Sequence, residues 1–218
     1  MTLLKSLIYT ILLIFLIEIL GLWIVITYEF NLNFLTLNSR LINGLIELII
    51  IGLFIYFYKN GKLRKPINYQ EKYVVRGIVL GLLFPFFQIL LSMIYFWDIP
   101  TGVNFLDFKF ENLRNLNVIA SILFFPISEE LFFRNFIQNE LHKKYKPIIT
   151  IFAVAVLFGM IHIMIGAIFF ESVSLNYHRV YIAFFGGLIS GILYYKSNSI
   201  IPSIIFHMIW NLMANIMI

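Results

Sequence analysis

Seven long apolar runs, at approximately 3–28, 41–58, 74–97, 116–140, 147–170, 179–195 and 200–217, constrain this 218-residue chain more than any motif in it. A bilayer core about 30 Å thick takes about 20 apolar residues of helix to cross. Inside it every backbone N–H and C=O must be paired within the chain, which leaves helices and closed barrels as the available structures. Continuous runs lack the alternation of barrel strands, so they specify helices. The composition agrees, with 61% hydrophobic and 12% charged residues, against roughly 45–50% and 25% in a soluble domain. The expected fold is all-α, a polytopic transmembrane bundle of about seven helices. No tandem repeat, heptad array, low-complexity tail or separate soluble domain is evident.

The formal charge of +5 reads as loop charge facing anionic lipid, and gives no reason to expect a nucleic-acid partner. The basic connections are "KNGKLRKPINYQEK" (59–72) and "HKKYK" (142–146), and Lys5 and Lys196 fall on the same side if every run spans. A multi-pass protein of the cell membrane is expected, with a cytoplasmic N-terminus and the C-terminus outside. The first run exceeds signal-peptide length and has no small-residue cleavage site after it, so it is read as a retained helix. The connection "DIPTGVNFLDFKFENLR" (98–114) would lie outside as an interfacial segment with its Phe residues against lipid, and Trp23, Tyr28 and Trp97 read as interfacial anchors. With no cysteine in the chain, disulfides, thiol nucleophiles and thiolate metal sites are excluded.

An ionisable side chain at the bilayer centre costs about 2.5–3.5 kcal/mol on insertion scales, so each needs a partner or a purpose. In "FFPISEELFFRNFI" (124–137) Glu129 and Glu130 lie roughly 12 residues, or about 18 Å, from either end of the fourth run. His162 falls in the fifth run, and His207 and Asn211 fall in the seventh. The pairs Glu130/Arg134, Phe158/His162 and His207/Asn211 are each four apart, which puts each pair on one helix face. These three late helices can therefore aim polar groups into one internal cavity. Pro126 removes a backbone hydrogen bond and can kink the helix beside the glutamates. Gly187 and Gly191 give the sixth helix a small-residue packing face, and Ser190 between them reads as a packing residue too.

Glutamate, two histidines and an amide, with no thiol, suit the activation of water. A carboxylate can take a proton from water while a histidine holds it, and a second histidine and an amide NH₂ can donate to the oxyanion formed at a peptide carbonyl. Arg134, one turn from Glu130, can neutralise that carboxylate and leave Glu129 as the tunable base. The zinc motif HExxH and the paired-aspartate GxGD pattern are absent, and "GLISG" (187–191) departs from GxSG at Leu188.

Taken together, "EELFFR" (129–134), "FGMIH" (158–162) and "HMIWN" (207–211) fit EExxxR, FxxxH and HxxxN. In that order on successive helices, they resemble the CAAX protease and bacteriocin-processing family, also called the Abi or type II CAAX prenyl endopeptidase-like family, over roughly residues 116 to 215. The resemblance implies an intramembrane glutamate peptidase in which Glu129 and His162 activate water, His207 and Asn211 stabilise the oxyanion, and Glu130 and Arg134 support them. It implies a catalytic core at 116–218 joined to N-terminal helices and an outer connection at 1–115. One Glu with two His could complete an open zinc site, but the metal-free arrangement, which alone gives Asn211 a task, is the one expected, with no cofactor. The expected partners are the bilayer and a membrane-associated peptide or protein substrate. Heavy use of Ile, Asn, Lys and Phe points to an AT-rich bacterial genome, hence to peptide processing or bacteriocin self-immunity.

Two other classes compete with this reading. One is a non-catalytic membrane partner of a sensor kinase or immunity receptor. The other is a proton- or ion-coupled transporter, against which the lack of an inverted repeat argues. His142 and His178 are expected to be solvated in loops. Glu18 and Glu47, in the outer half of the membrane, can be protonated, hydrogen-bonded to each other or line the cavity.

Overall fold

Where the apolar runs stand in the sequence, the computed structural model forms helices; it describes residues 1–29, 38–58, 70–97, 108–163 and 176–217, with side chains of the first stretch only to Gly21. The helices are α1 (Leu3–Glu29), α2 (Ser39–Tyr58), α3 (Glu71–Phe96), α4 (Leu116–Leu141), α5 (Pro147–Met160), α6 (Tyr177–Ser197) and α7 (Ile201–Ile216). Among the described residues there is no strand. Five of these helices are long and apolar enough to cross a bilayer, while α5 and α7 are shorter. Prolines sit in the first turns of α5 and α7, where the missing N–H breaks no helical bond. The side chain of Asn176 caps α6 by accepting from the Arg179 N–H at 2.9 Å. The expected fifth helix to 170 ends instead at Met160 in a short turn, and 164–170 lie outside the described residues.

Hydrogen bonds between elements define two ends of the bundle. At one end the terminal amine of Met1 reaches the Glu140 carbonyl at 3.5 Å, and the Gln70 amide donates to the Ser197 carbonyl at 3.1 Å. The start of α1, the start of α3 and the ends of α4 and α6 thus share one face. At the opposite end Asn117 Oδ1 accepts from the N–H groups of Arg40 and Leu41, and the Asn211 amide donates to the Ser121 carbonyl at 2.7 Å. There, too, Ser92 Oγ lies 2.9 Å from His178 Nε2. The starts of α2, α4 and α6 and the ends of α3 and α7 share this second face. A short 3₁₀ turn, Phe110–Arg114, is tied to it by the Asn112 amide, which donates to the Asn215 carbonyl at 2.9 Å. Phe108 and Phe110 stack with centroids 6.1 Å apart and are exposed, as an interfacial segment requires; residues 98–107 of that connection, and most of the basic 59–72 connection, lie outside the described residues.

Lipid offers helices no hydrophobic gain on association, so close packing must hold them. Gly77 and Gly81 bring α3 against α7, where a Cβ would come within 2.6 Å of the Pro202 carbonyl oxygen and 2.8 Å of Ile209. Gly187 sets α6 on Ala155 and Phe158 of α5, as expected of that small-residue face. An aromatic cluster of Tyr9, Phe54, Phe132 and Phe136 joins α1, α2 and α4, with Phe136 5.2 Å from Tyr9 and 5.1 Å from Phe54. The bundle's outside is apolar, with Phe57 and Ile148 strongly exposed, which suits a lipid-facing surface. Trp97, 93% exposed at the left-handed cap of α3, fits an interfacial anchor; the side chains of Trp23 and Tyr28 lie outside the described residues.

Candidate active site

The site is built on an irregular helix. Within α4 a regular turn, Phe125–Glu130, lies between two π-helical stretches, Ala120–Phe124 and Leu131–Gln138. Pro126 at the head of that turn has no N–H to continue the ladder, so the expected kink takes the form of wide turns. In a regular α-helix every fourth residue overshoots a full circle by about 40°; in a π-helix it falls short. Alternating the two keeps every fourth side chain nearly in line. Glu130, Arg134, Gln138 and His142 form such a line, each within hydrogen-bond reach of the next: 3.0 Å, 3.5 Å and 3.2 Å. His142, expected to be solvated, instead ends this ladder half-buried, its ring 5.4 Å from that of Tyr195. His178 also differs from expectation, packed against Tyr95 and Phe96 and in contact with Ser92.

Glu130 is fully buried and saturated. Its Oε2 accepts from Arg134 Nε at 3.0 Å and from Ser190 Oγ at 2.5 Å, and its Oε1 lies 3.2 Å from His207 Nδ1. Arg134 is equally buried and also lies over the Phe158 ring at 5.3 Å. The expected lock between Glu130 and Arg134 is present, and it is larger than expected. Ser190, read from the sequence as packing, is a polar member of it, because the α6 glycines bring its hydroxyl up to both charged groups.

Glu129, one residue earlier and 100° round the helix, has a different environment. Its Oε2 is buried without a hydrogen-bond partner among the described residues and lies 3.9 Å from His207 Nε2. It lines a cavity of about 520 Å³ that His162, His207 and Asn211 also line. All four candidate site residues therefore meet at one space. His162 reaches it from the turn after α5 rather than from within a helix, with Nδ1 3.0 Å from the Phe158 carbonyl oxygen. His207 is clamped by that carboxylate, by the Trp210 ring stacked at 5.2 Å, and by Phe158. Asn211 uses one of its two N–H donors on the Ser121 carbonyl.

Behind the glutamates, the lone carboxylate of Glu47 on α2 has a definite contact: the buried Ser128 hydroxyl donates to it at 2.7 Å. Sequence reading singled out Glu47 without finding Ser128, since a serine next to two glutamates gives no signal of which helix it will face. Arg179 was also missed. It lines the cavity and is an electrostatic neighbour of both Glu129 and His162. As to zinc, no three His, Asp or Glu side chains among the described residues converge as a ligand set, and His207 Nδ1 is already held by Glu130.

A helical membrane bundle enclosing a cavity where a carboxylate, two histidines and an amide converge has the parts of a membrane-embedded peptidase. Residues 112–213, running from the 3₁₀ turn through most of α7, match the family model "Type II CAAX prenyl endopeptidase Rce1-like". That segment is similar to the Rce1-like type II CAAX prenyl endopeptidases, a family of membrane proteases, and the five long apolar helices make the chain a multi-pass membrane protein. Neither a curated protein nor a solved structure matches the chain.

Proposed function

We propose that this protein hydrolyses peptide bonds of membrane-associated peptides or proteins with a water activated by Glu129 and His162, without a metal. The observation that carries the reading is Glu129 Oε2, buried without a hydrogen-bond partner among the described residues and 3.9 Å from His207 Nε2 at the wall of the shared cavity. A gap of that length between polar atoms is bridged by water more readily than by a direct bond. His162, its Nδ1–H donated to the Phe158 carbonyl, presents Nε2 as an acceptor that can orient the water. Glu129 takes the water's proton as the oxygen attacks the carbonyl carbon, and returns it to the leaving amine as the C–N bond breaks.

The carbonyl oxygen becomes an oxyanion, for which His207 and Asn211 are the donors. Nδ1–H of His207 faces Glu130, so Nε2 can donate only if the ring carries both protons; the Glu130 carboxylate at 3.2 Å supplies the counter-charge. The second N–H of Asn211 points the same role at the oxyanion. Glu130 and Arg134 hold the histidine and act through it. For the biology, we favour bacterial peptide processing or bacteriocin self-immunity in the cell membrane, on the compositional grounds given above.

The test is cleavage of a quenched-fluorescence membrane peptide by protein in vesicles, comparing wild type with Glu129→Gln. Loss of a general base lowers kcat by about 10²–10⁴-fold. Equal cleavage by the variant at equal protein level overturns the assignment. Activity that survives a chelator supports the metal-free reaction, whereas loss restored by zinc rejects it. A partner that acts only by binding would keep its cellular function in Glu129→Gln.

A further inference from the structure

The cavity is not centred in the bundle. Its deep wall is formed by Glu129, His162 and His207, and its other lining includes Arg40 at the start of α2, Asn176 and Arg179 at the start of α6, and Asn215 at the end of α7. All four belong to the face that Asn117, Ser121 and Asn112 tie together. Arg40, Asn176 and Arg179 are exposed there, so this face is the cavity's mouth. The other end of the bundle carries the excess of Lys and Arg: Lys5, Lys72, Arg76, Lys143, Lys144, Lys146 and Lys196 among the described residues. At the mouth's end the described residues carry four such charges, Arg40, Lys109, Arg114 and Arg179. Lys and Arg near helix ends are retained on the cytoplasmic side, which puts the mouth on the opposite side.

The mouth also has a charge of its own. Among the described residues neither Arg40 nor Arg179 forms an ion pair, although both face the polar cavity. Guanidinium groups held in no ion pair at the rim of a binding cavity, with only the deeper Glu129 as an electrostatic neighbour of Arg179, are the complement of a carboxylate brought by a ligand. Resting on the peptidase reading, we propose that the cavity is entered from the non-cytoplasmic side by an exported peptide, or the outer segment of a membrane protein, and that Arg179 and Arg40 receive an acidic group flanking its scissile bond. The substrate class is then extracytoplasmic and acidic near the cut.

Because the chain has no cysteine, a single introduced thiol reports its side without background. Tyr177→Cys, at an exposed position beside the mouth, and Lys144→Cys, exposed at the opposite end, are labelled on intact cells with a membrane-impermeant maleimide. We expect Tyr177→Cys to label directly and Lys144→Cys only after permeabilisation; the reverse pattern overturns the sidedness whatever the enzymatic activity. In vesicles, two peptides that differ only in Asp or Asn beside the scissile bond are compared with wild type and with Arg40→Gln/Arg179→Gln. The double variant should raise KM for the Asp peptide by about tenfold and leave that for the Asn peptide unchanged. Equal changes for both peptides overturn the charge recognition. If the peptidase reading itself fails, Glu129→Gln cleaves normally while the labelling pattern stands, so the two failures are distinguishable.

Discussion

Replacing Arg134 by Met should destabilise the bundle less than replacing Glu130 by Leu, and the two changes together should cost much less than their sum. At the observed 3.0 Å an ion pair with an effective dielectric of 20 is worth about 5 kcal/mol before desolvation is counted. Breaking a buried pair by removing one partner costs about 3–5 kcal/mol, because the other charge is stranded. The structure decides where in that range each variant falls. In Arg134→Met, Glu130 keeps Ser190 Oγ at 2.5 Å and His207 Nδ1 at 3.2 Å, so a loss of about 3 kcal/mol is expected. In Glu130→Leu, Arg134 keeps hydrogen bonds to Ser190 and Gln138 and its place over the Phe158 ring, but no ion-paired carboxylate among the described residues, where its Nη2 already lacks a hydrogen bond. His207 also loses its carboxylate there, so about 5 kcal/mol is expected. The double variant leaves neither charge stranded and should recover at least about 2 kcal/mol. Unfolding in mixed micelles, followed by the fluorescence of the three tryptophans, measures the cycle. Additivity within about 0.5 kcal/mol, or a costlier Arg134→Met, would refute the reasoning.

Three further outcomes follow from the contacts. Ser190→Ala removes the 2.5 Å bond to Glu130 and should cost about 1.5–3 kcal/mol in the same unfolding assay; a neutral result would return Ser190 to a packing role. Gly77→Ala and Gly81→Ala force a Cβ against the Pro202 carbonyl and against Ile209 and Phe206, and each should cost about 1–3 kcal/mol, read as earlier unfolding without a change at Glu129. Asn211→Ala deletes one proposed oxyanion donor and should lower kcat about 10²–10³-fold with little change in KM; a variant impaired in KM alone would remove Asn211 from that role.

Much of this architecture was legible because lipid imposes a simple rule on long apolar runs. Most helix ends fall within a few residues of those read from the sequence, and the three motifs mark the side chains that share the cavity. What escaped has local physical causes. The π-helical stretches of α4 depend on how the ladder adjusts around Pro126, which a periodicity of 3.6 cannot anticipate, and they carry Gln138 and His142 into line with Glu130. Ser190 and Ser128 are small hydroxyls whose partners lie 60 and 81 residues away in sequence. Gly77 and Gly81 have the same spacing as Gly187 and Gly191, but lie in a helix with no charged motif to mark which face packs. His162 was read inside a helix because the apolar run continues past it, whereas the backbone turns at Ile161.

The placement of two adjacent glutamates within a helix long and apolar enough to cross a bilayer becomes intelligible through the order of charges. Glu129, His207, Glu130 and Arg134 follow one another at 3.9, 3.2 and 3.0 Å, so with the ring doubly protonated the signs alternate and the set is neutral. A neutral set is one that a low-dielectric interior tolerates, where a lone carboxylate would be expelled or protonated. In the proposed reaction Glu129 gains the water's proton as the oxyanion forms, so a negative charge leaves one neighbour of His207 and arises at another. No net charge is created inside the membrane. A single glutamate facing a neutral histidine could not do this, because the oxyanion would then have no fixed cation beside it. In the proposed mechanism the second glutamate and its arginine would therefore matter by holding His207 where the charge arrives.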